Sequence, residues 1–355
     1  MQQFLYTLSI HVLRLGFSLA APFNQKARQF VLGRKDIFKK LANSFPQKKG
    51  SQLVWVHCAS LGEFEQGRPL IDALKAKLPQ VKILLTFFSP SGYEAQKNYA
   101  DADFIFYLPW DTPKQASRFV AITKPDMAIF IKYEFWYHYT MALKKSGSHI
   151  ISASCILRPD QIFFKSYGNL FRKLLQNFNF FFTQNSETKS LLASIGIHNS
   201  KVAGDTRFDR VMEIIKKVSE IEQAKKFKNG QKLFVVGSCW PEDFEMLAPF
   251  INENNNTLKF IIAPHEISNS FICEIEKSLQ VKTARFSEEK PGIEDCSVLI
   301  IDNIGMLSKL YRYGEFAFVG GAFGKGLHNI LEAACYGIPV FLATKITTNT
   351  KKQTI

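Results

Sequence analysis

Residues 53–67 read L-V-W-V-H-C-A-S-L-G-E-F-E-Q-G, an apolar run that leads through small residues to a carboxylate, Glu63. The run predicts a buried strand, and the small residues predict a turn into a helix. This pattern places Glu63 at the carboxyl end of a strand, where open α/β sheets bind their ligands. Glu63 is then either a general base or a first-turn acid that the helix dipole favours. The stretch alone leaves both interpretations open.

Short apolar runs alternate with charged helical stretches along most of the chain. Uninterrupted apolar strands are typical of parallel sheets with helices on both faces. Two series of such strands predict an α/β protein with two doubly wound, Rossmann-like domains. The first series is Leu53–His57, Lys82–Phe87, Phe104–Leu108, Met127–Ile131, His149–Ala153 and Phe178–Thr183. The second series is Leu233–Gly237, Lys259–Ala263, Ser297–Ile301, Phe316–Gly320 and Pro339–Leu342, and charged helices are expected at Pro69–Leu78 and Asp243–Asn252.

We expect four segments along the chain. An N-terminal helix covers residues 1–25, and a first domain covers residues 26–209. A charged helix at 210–230 joins the first domain to a second domain at 231–355.

The composition excludes several classes of protein. With 46% hydrophobic and 21% charged residues over 355 positions, the chain buries a core and is not intrinsically disordered. Its six cysteines include no C-x-x-C pair, which argues for reduced thiols and against a disulfide framework or a zinc site. The net charge of +14 favours anionic partners.

The N-terminal segment combines apolar and basic residues. Residues 4–23 are mostly apolar but include Arg14, and nine basic side chains against one acidic one lie within residues 1–50. This pattern favours a membrane anchor, spanning or interfacial, with a cytoplasmic body and a basic flank that faces anionic headgroups. A cleaved signal peptide fits poorly because no basic region precedes the apolar run. An ordinary buried helix remains an alternative.

The most specific local pattern lies at residues 318–340, F-V-G-G-A-F-G-K-G-L-H-N-I-L-E-A-A-C-Y-G-I-P-V. It reads as a strand, a glycine-rich loop and a helix that begins near His328 or Asn329. Glycines let backbone N–H groups approach an anion, and a helix N-terminus favours negative charge. The spacing matches neither the P-loop nor the dinucleotide fingerprint. A nucleotide or phosphate loop and a structural turn both remain possible.

Four further clusters follow predicted strands. They are residues 132–136 (K-Y-E-F-W), 204–209 (G-D-T-R-F-D), 264–266 (P-H-E) and 302–305 (D-N-I-G). Each alone is more typical of a solvated loop. Together they are predicted at the carboxyl edges of two sheets, which favours a site.

Read together, these motifs resemble the 3-deoxy-D-manno-octulosonic acid (Kdo) transferases, glycosyltransferases of the GT-B class in lipopolysaccharide (lipid A–core) assembly. The family pattern is an apolar N-terminal anchor followed by H-A-x-S-x-G-E, K-x-E-x-W, G-N-x-K-F-D, P-R-H-P and G-G-H-N-x-x-E. Here the motifs are residues 57–63 (H-C-A-S-L-G-E), 132–136, 204–209, 264–265 and 326–332 (G-L-H-N-I-L-E). Their order holds from residue 1 to about residue 340.

The resemblance implies a fold and a set of roles. The fold is two Rossmann-like domains that face each other across a cleft, with the acceptor bound on the N-terminal side. Glu63 matches the general base, and Glu134 and Arg207 match transition-state stabilisers. The donor contacts match a larger set: Pro264, His265, Ile304, Gly305, Met306, Gly326, Asn329, Ile330, Leu331 and Glu332.

The reaction that the resemblance implies is an inverting transfer of Kdo from CMP-Kdo to a lipid A precursor (lipid IVA). No metal or other cofactor is expected, and the partners are CMP-Kdo, the lipid acceptor and an anionic membrane surface. The implied location is the cytoplasmic face of the inner membrane of a Gram-negative bacterium. A nucleic-acid partner is not expected, because the basic excess lies beside an apolar segment rather than on an aromatic-rich face.

The chain also departs from the family pattern. P-R-H-P is reduced to A-P-H-E, Arg207 replaces a lysine, and Leu327 replaces a glycine. After Leu342 a polar tail stands where the family continues with further helices, so we expect a shortened, incomplete second domain. The alternatives are another GT-B transferase with a UDP- or GDP-sugar donor, and a catalytically impaired nucleotide-binding membrane protein.

Overall fold

The apolar runs form two parallel β-sheets in the computed structural model, which describes residues 2–45, 52–217, 220–288, 291–323 and 330–343. Side chains at 210 and 213–217 are outside this description. The chain divides into two compact units, Met1–Arg210 and Val211–Ile355. Each unit is a doubly wound, Rossmann-like α/β domain, and the predicted fold class is confirmed.

The first unit contains seven described strands in the order β3-β2-β1-β4-β5-β6-β7, all parallel. The strands are β1 Leu53–Cys58, β2 Lys82–Phe87, β3 Phe104–Tyr107, β4 Met127–Ile131, β5 His149–Cys155, β6 Phe180–Thr183 and β7 Ser200–Val202. The helices are α1 Gln2–Ala20, α2 Gln25–Leu32, α3 Ile37–Ser44, α4 Leu61–Lys77, α5 Pro90–Gln96, α6 Pro113–Thr123, α7 Tyr137–Ser146, α8 Asn169–Leu175 and α9 Ser186–Ser194. The order of the strands reverses between β1 and β4, and such a switch point opens a crevice at the carboxyl ends of the strands.

The second unit contains six described strands in the order β10-β11-β9-β8-β12-β13, again parallel. The strands are β8 Leu233–Cys239, β9 Lys259–Pro264, β10 Thr283–Arg285, β11 Val298–Ile300, β12 Phe316–Val319 and β13 Val340–Leu342. The helices are α10 Thr206–Lys217, which begins in the first unit, and α11 Glu222–Lys228, α12 Pro241–Asn254, α13 Asn269–Ser278, α14 Leu307–Leu310 and α15 Leu331–Ala334. The switch point here lies between β8 and β12.

Two helix predictions need correction, and a third falls on residues outside the description. The helix expected at 210–230 is two helices, α10 and α11, because Glu220 and Ile221 are not helical. The helix expected at Pro69–Leu78 begins eight residues earlier, at Leu61, and includes Pro69. The helix start expected near His328 or Asn329 lies outside the described residues.

In the N-terminal segment, the helix α1 covers Gln2–Ala20 and packs on the rest of the first unit at a few positions. Ile10 is its one buried residue, and Phe17 stacks on Phe30 of α2 at a ring distance of 4.1 Å. Its other large apolar side chains are exposed, with Phe4 at 68% and Leu19 at 67%. An ordinary buried helix is therefore excluded. Within the described ranges, no helix combines the length and the apolar character needed to cross a bilayer.

Candidate functional site

Glu63 lies in the first turn of α4, directly after β1. Ser60 is the residue before the helix, in extended conformation, and its hydroxyl donates a hydrogen bond to Oε2 of Glu63. The other carboxylate oxygen, Oε1, is 4.0 Å from Nζ of Lys132. The Glu63 side chain is 13% exposed. The carboxylate is thus held by a hydroxyl and a cation while one face stays open to a ligand.

α4 approaches the sheet closely because of a glycine at its second turn. A Cβ on Gly67 would lie 3.1 Å from Sγ of Cys58 in β1 and 3.2 Å from Cγ1 of Ile131 in β4. These two strands flank the switch point of the first unit. Close packing there sets the N-terminus of α4, and with it Glu63, over the crevice.

Glu134 follows β4, the other strand at the switch point. Burial, and to a smaller extent the nearby charge of Glu63, raises the pKa of its carboxyl to about 7. The neighbouring Trp136 side chain and the charge of Lys132 act in the opposite direction. Two carboxyl groups and one ammonium group therefore share this crevice, and Glu134 exchanges its proton near neutral pH.

Lys132, the first residue after β4, has a left-handed backbone with φ of 68°. Its N–H donates to the carbonyl of Ala153 at 2.8 Å, which continues the pairing of β4 with β5 by one residue. A non-glycine residue in this conformation is strained, and such strain is concentrated at functional sites. The turn brings the ammonium group back towards Glu63.

His57 and Trp136 connect the two sides of the crevice beneath the carboxylates. Trp136 Nε1 donates to His57 Nε2 at 3.1 Å, and His57 Nδ1 is 2.9 Å from Oγ1 of Thr86. The same Oγ1 accepts a hydrogen bond from Trp55 Nε1 at 2.7 Å. His57 is completely buried, and burial lowers its pKa to about 3. It is a neutral imidazole in a closed hydrogen-bond network.

Arg207, the third predicted catalytic residue, lies in the first turn of α10. Its guanidinium donates to Oδ2 of Asp205 through Nε at 2.8 Å and NH2 at 2.6 Å. The neighbouring Thr206 hydroxyl donates to Oγ of Ser154, at the end of β5. Among the described residues the structure brings Glu63, Glu134 and Lys132 together, whereas Arg207 is paired with Asp205.

In the second unit, the predicted donor residues follow the ends of neighbouring strands. Pro264 ends β9 and is buried, and the exposed His265 ring stacks on Trp240 with a centroid distance of 4.3 Å. After β11, Ile304 is 93% exposed and Gly305 has φ of 88°. The remaining described residues of the set lie before or inside short helices: Met306 precedes α14, Ile330 precedes α15, and Leu331 and Glu332 begin α15. The predicted contacts Gly326 and Asn329 lie outside the described residues.

A buried carboxylate shapes the turn that follows β12. Asp243, in the first turn of α12, accepts hydrogen bonds at Oδ2 from the N–H groups of Trp240 at 3.0 Å and Gly321 at 2.9 Å. A Cβ on Gly320 would lie 2.4 Å from that oxygen, so only glycine fits beside it. Asp243 thereby holds the first two glycines of the glycine-rich loop at the switch point between β8 and β12.

The model of the 3-deoxy-D-manno-octulosonic-acid transferase (kdotransferase) family matches residues 35–210. A 3-deoxy-D-manno-octulosonic acid transferase of Aquifex aeolicus is 30% identical over 315 residues, which cover 85% of this chain and 80% of the relative. The chain belongs to the Kdo transferase family. The transferase of Haemophilus influenzae is 24% identical over 301 residues, or 81% of this chain and 70% of that protein.

Membership of the Kdo transferase family makes the chain a glycosyltransferase that transfers Kdo in lipopolysaccharide biosynthesis. A solved structure with a similar fold is the UDP-GlcNAc 2-epimerase of Neisseria meningitidis, with a TM-score of 0.56 and 14% identity. That likeness covers 83% of this chain and 84% of the epimerase, and it concerns the fold alone.

Sequence reasoning on this Kdo transferase missed several residues of the site. His57, Lys132 and Trp136 stand inside the quoted motifs but carried no predicted role. Their roles depend on contacts between β1, β2 and the segment after β4. Asp243 gave one usable signal, because an acid at the third position of a helix can accept a hydrogen bond from the backbone N–H that precedes the helix. Within the described part of the chain, no group of three or more histidine, cysteine or acidic side chains could hold a metal ion.

Proposed function

We propose that this Kdo transferase moves Kdo from CMP-Kdo to a lipid A precursor such as lipid IVA, with inversion, and that Glu63 is the general base. The observation that carries the proposal is the position of Glu63 at the switch point, hydrogen-bonded by Ser60 and faced by Lys132. A base must be ionised and fixed within reach of the hydroxyl that it deprotonates.

In the proposed reaction, an acceptor hydroxyl loses its proton to Glu63 as its oxygen bonds to the anomeric carbon of Kdo. The bond from that carbon to the CMP phosphate breaks, and CMP leaves with the electron pair. The transition state has oxocarbenium character, as in glycoside hydrolysis. Ionised Glu134 stabilises its positive charge, while Arg207 stabilises negative charge on the leaving phosphate. No metal or other cofactor takes part in this proposal.

The donor is proposed to bind to the second unit through the CMP part. The stacked pair of His265 and Trp240 offers an aromatic surface beside the end of β9. The residues proposed to contact it are Pro264, His265, Ile304, Gly305, Met306, Gly326, Asn329, Ile330, Leu331 and Glu332. The glycine-rich sequence that begins at the turn held by Asp243 suits a phosphate, since glycine permits close approach.

The acceptor is a lipid, and we propose that α1 rests on the membrane that contains it. The exposed apolar side chains of α1 would lie in the interface, and the basic residues that follow would face anionic headgroups. The proposed location is the cytoplasmic face of the inner membrane of a Gram-negative bacterium. The partners are then CMP-Kdo, the lipid acceptor and the membrane surface, with no nucleic acid.

The test is transfer by the purified protein with CMP-Kdo generated in situ and lipid IVA, with the product identified by mass. Glu63→Gln should abolish turnover while CMP affinity is kept. The matched control is Glu187→Gln, because Glu187 is also a first-turn acid, in α9, and is exposed. Turnover by Glu63→Gln at the wild-type rate would overturn the role of Glu63. Protection of the protein by UDP or GDP rather than by CMP would favour another GT-B donor.

A further inference from the structure

We propose that a basic cavity beside α1 binds the phosphate headgroup of an anionic membrane lipid. The cavity has a volume of about 700 Å³ and lies within the first unit, between α1, the turn from α2 to α3, and the start of α6. This inference rests on the proposed function, in which α1 lies at a membrane, and it names the chemical group that is bound there.

The lining of the cavity is strongly basic. Six basic residues contribute to it: Arg14, Arg34, Lys35, Lys39, Lys114 and Arg118. Among the described residues that line it, Asp36 is the one acid. Within the described part of the chain, none of the six basic side chains forms a salt bridge with a carboxylate. An anion that enters the cavity therefore has no existing ion pair to displace.

Arg34 is the one buried cation of this lining, at 8% exposed. Its guanidinium donates to the carbonyl groups of Phe30, Phe88 and Leu108 at 3.0, 2.6 and 2.8 Å. These acceptors are neutral, so they satisfy hydrogen bonds but leave the positive charge uncompensated. A buried charge without a counter-ion is unfavourable, and an anion in the cavity would offset that cost.

The start of α6 contributes two more cations. Lys114 lies in its first turn, where the helix dipole disfavours a positive charge and no acidic side chain is present. Arg118, one turn later, holds its guanidinium 4.6 Å from the centre of the Phe38 ring in α3. The contact with Phe38 fixes this charge at the wall of the cavity.

Apolar side chains beside the cavity suit the acyl chains of a lipid. Arg14 and Ser18 line the cavity from α1 and are four residues apart, so they share one face of the helix. Leu15 and Leu19 occupy the adjoining face and are 59% and 67% exposed. Leu32, which is 51% exposed, lines the cavity from the end of α2. A phospholipid would cover these leucines, whereas a free phosphate would leave them in water.

The test uses phospholipids with short acyl chains that stay in solution as monomers, so that binding is measured without a membrane. Titration calorimetry of the full chain with dihexanoyl-phosphatidylglycerol should show saturable binding of one lipid molecule. Dihexanoyl-phosphatidylcholine should bind about tenfold more weakly or less, because its headgroup has no net charge. Inorganic phosphate should be weaker by a similar factor, because it has no acyl chains.

Two results of these titrations would overturn the proposal. One is the absence of saturable binding of dihexanoyl-phosphatidylglycerol. The other is binding of inorganic phosphate as tight as that of the lipid, which would make the ligand a free anion.

Substitutions in α6 locate the binding site. Lys114→Gln/Arg118→Gln removes two cations at exposed positions and should weaken binding of dihexanoyl-phosphatidylglycerol by about tenfold or more. The matched control, Lys144→Gln/Lys145→Gln, removes two exposed cations from the last turn of α7, which do not line the cavity, and should bind like the wild type. An equal loss in this control would indicate general electrostatic attraction and would contradict a discrete site.

A third variant separates the loss of charge from a loss of folding. Lys114→Arg/Arg118→Lys keeps both positive charges and should bind the lipid like the wild type. A folded Lys114→Arg/Arg118→Lys variant that binds no better than Lys114→Gln/Arg118→Gln would contradict the role of the charges.

Lipid binding and Kdo transfer are measured separately. A protein that binds dihexanoyl-phosphatidylglycerol but does not transfer Kdo would contradict the proposed function alone. A protein that transfers Kdo but does not bind this lipid would contradict the headgroup site alone.

Discussion

The hydroxyl of Tyr6 in α1 donates a hydrogen bond of 2.6 Å to Oδ2 of Asp111, a residue that is 1% exposed. Asp111 in turn accepts from the N–H groups of His138 and Tyr139 at 3.1 and 3.0 Å and so caps α7. The N-terminal helix is thereby tied to the helix that directly follows Trp136. Burial raises the pKa of Asp111 to about 6, and its hydrogen bonds limit that rise.

Tyr6→Phe should destabilise the first unit, because it removes one hydrogen bond from a buried carboxylate and keeps the ring. We expect the free energy of unfolding to fall by about 1–3 kcal/mol at pH 8, measured by urea denaturation. The control is Tyr167→Phe on the surface, where Tyr167 is 65% exposed and a change below about 0.5 kcal/mol is expected. Equal losses in both variants would show that the Asp111 contact adds little.

The exposed face of α1 should determine association with lipid vesicles. Leu15 and Leu19 are 59% and 67% exposed, and insertion of leucine side chains into an apolar phase gains about 1.5–3 kcal/mol each when complete. The double variant Leu15→Ser/Leu19→Ser should therefore bind vesicles containing anionic lipids at least tenfold more weakly in a sedimentation assay. Met246→Ser, at a 46% exposed position in the second unit, should bind like the wild type. A loss confined to the Met246 variant would contradict a membrane role for α1.

The fold could be predicted largely because its strands are long, apolar and covered on both faces. Lys82–Phe87 and Met127–Ile131 were predicted with the bounds that the structure has. The strands Ser200–Val202 and Thr283–Arg285 were missed. Each is an edge strand of only three residues, one of them charged, so neither shows an apolar pattern. The prediction of one continuous helix at 210–230 was wrong, because a high density of charged residues predicts a helix but does not locate a break within it.

Only part of the site could be predicted from the sequence, because some of its contacts join residues far apart in the chain. Glu63 and Glu134 come soon after strands, so their position at the sheet edge could be predicted from local patterns. His57 and Trp136 are 79 residues apart, and His57 and Thr86 are 29 apart. Contacts of that range depend on which strands become neighbours, and the order β2-β1-β4 is a property of the folded sheet.

Because Lys132 has a left-handed backbone, two substitutions can distinguish the effect of its charge from the effect of its backbone strain. Lys132→Gly relieves strain of about 1 kcal/mol that Lys132→Met retains, so the glycine variant should be the more stable of the two by that amount. Both variants lose the ammonium group that faces Glu63, and both should lose turnover. Lys124→Gly, at a left-handed residue at the end of α6, should leave turnover intact. Full activity in Lys132→Gly would show that the charge is dispensable.

The raised pKa of Glu134 should make the free energy of unfolding fall, and turnover increase, as the pH rises. Its pKa is raised from 4.5 to about 7 in the folded protein, so between these values the unfolded chain releases a proton that the folded chain keeps. Stability is therefore full below pH 4.5 and is lost as pH rises through 7. The loss should amount to about 3 kcal/mol.

Glu134→Gln removes this titration. Its free energy of unfolding, relative to the wild type, should rise by about 3 kcal/mol between pH 4 and pH 8, as followed by denaturant titrations at each pH. Its turnover should be low at every pH, whereas wild-type turnover should increase with pH through about 7 as Glu134 ionises. Because each protein is compared with itself across pH, the constant difference in packing between the Glu and Gln side chains cancels. A pH–rate limb near 7 that persists in Glu134→Gln would assign that ionisation to another group.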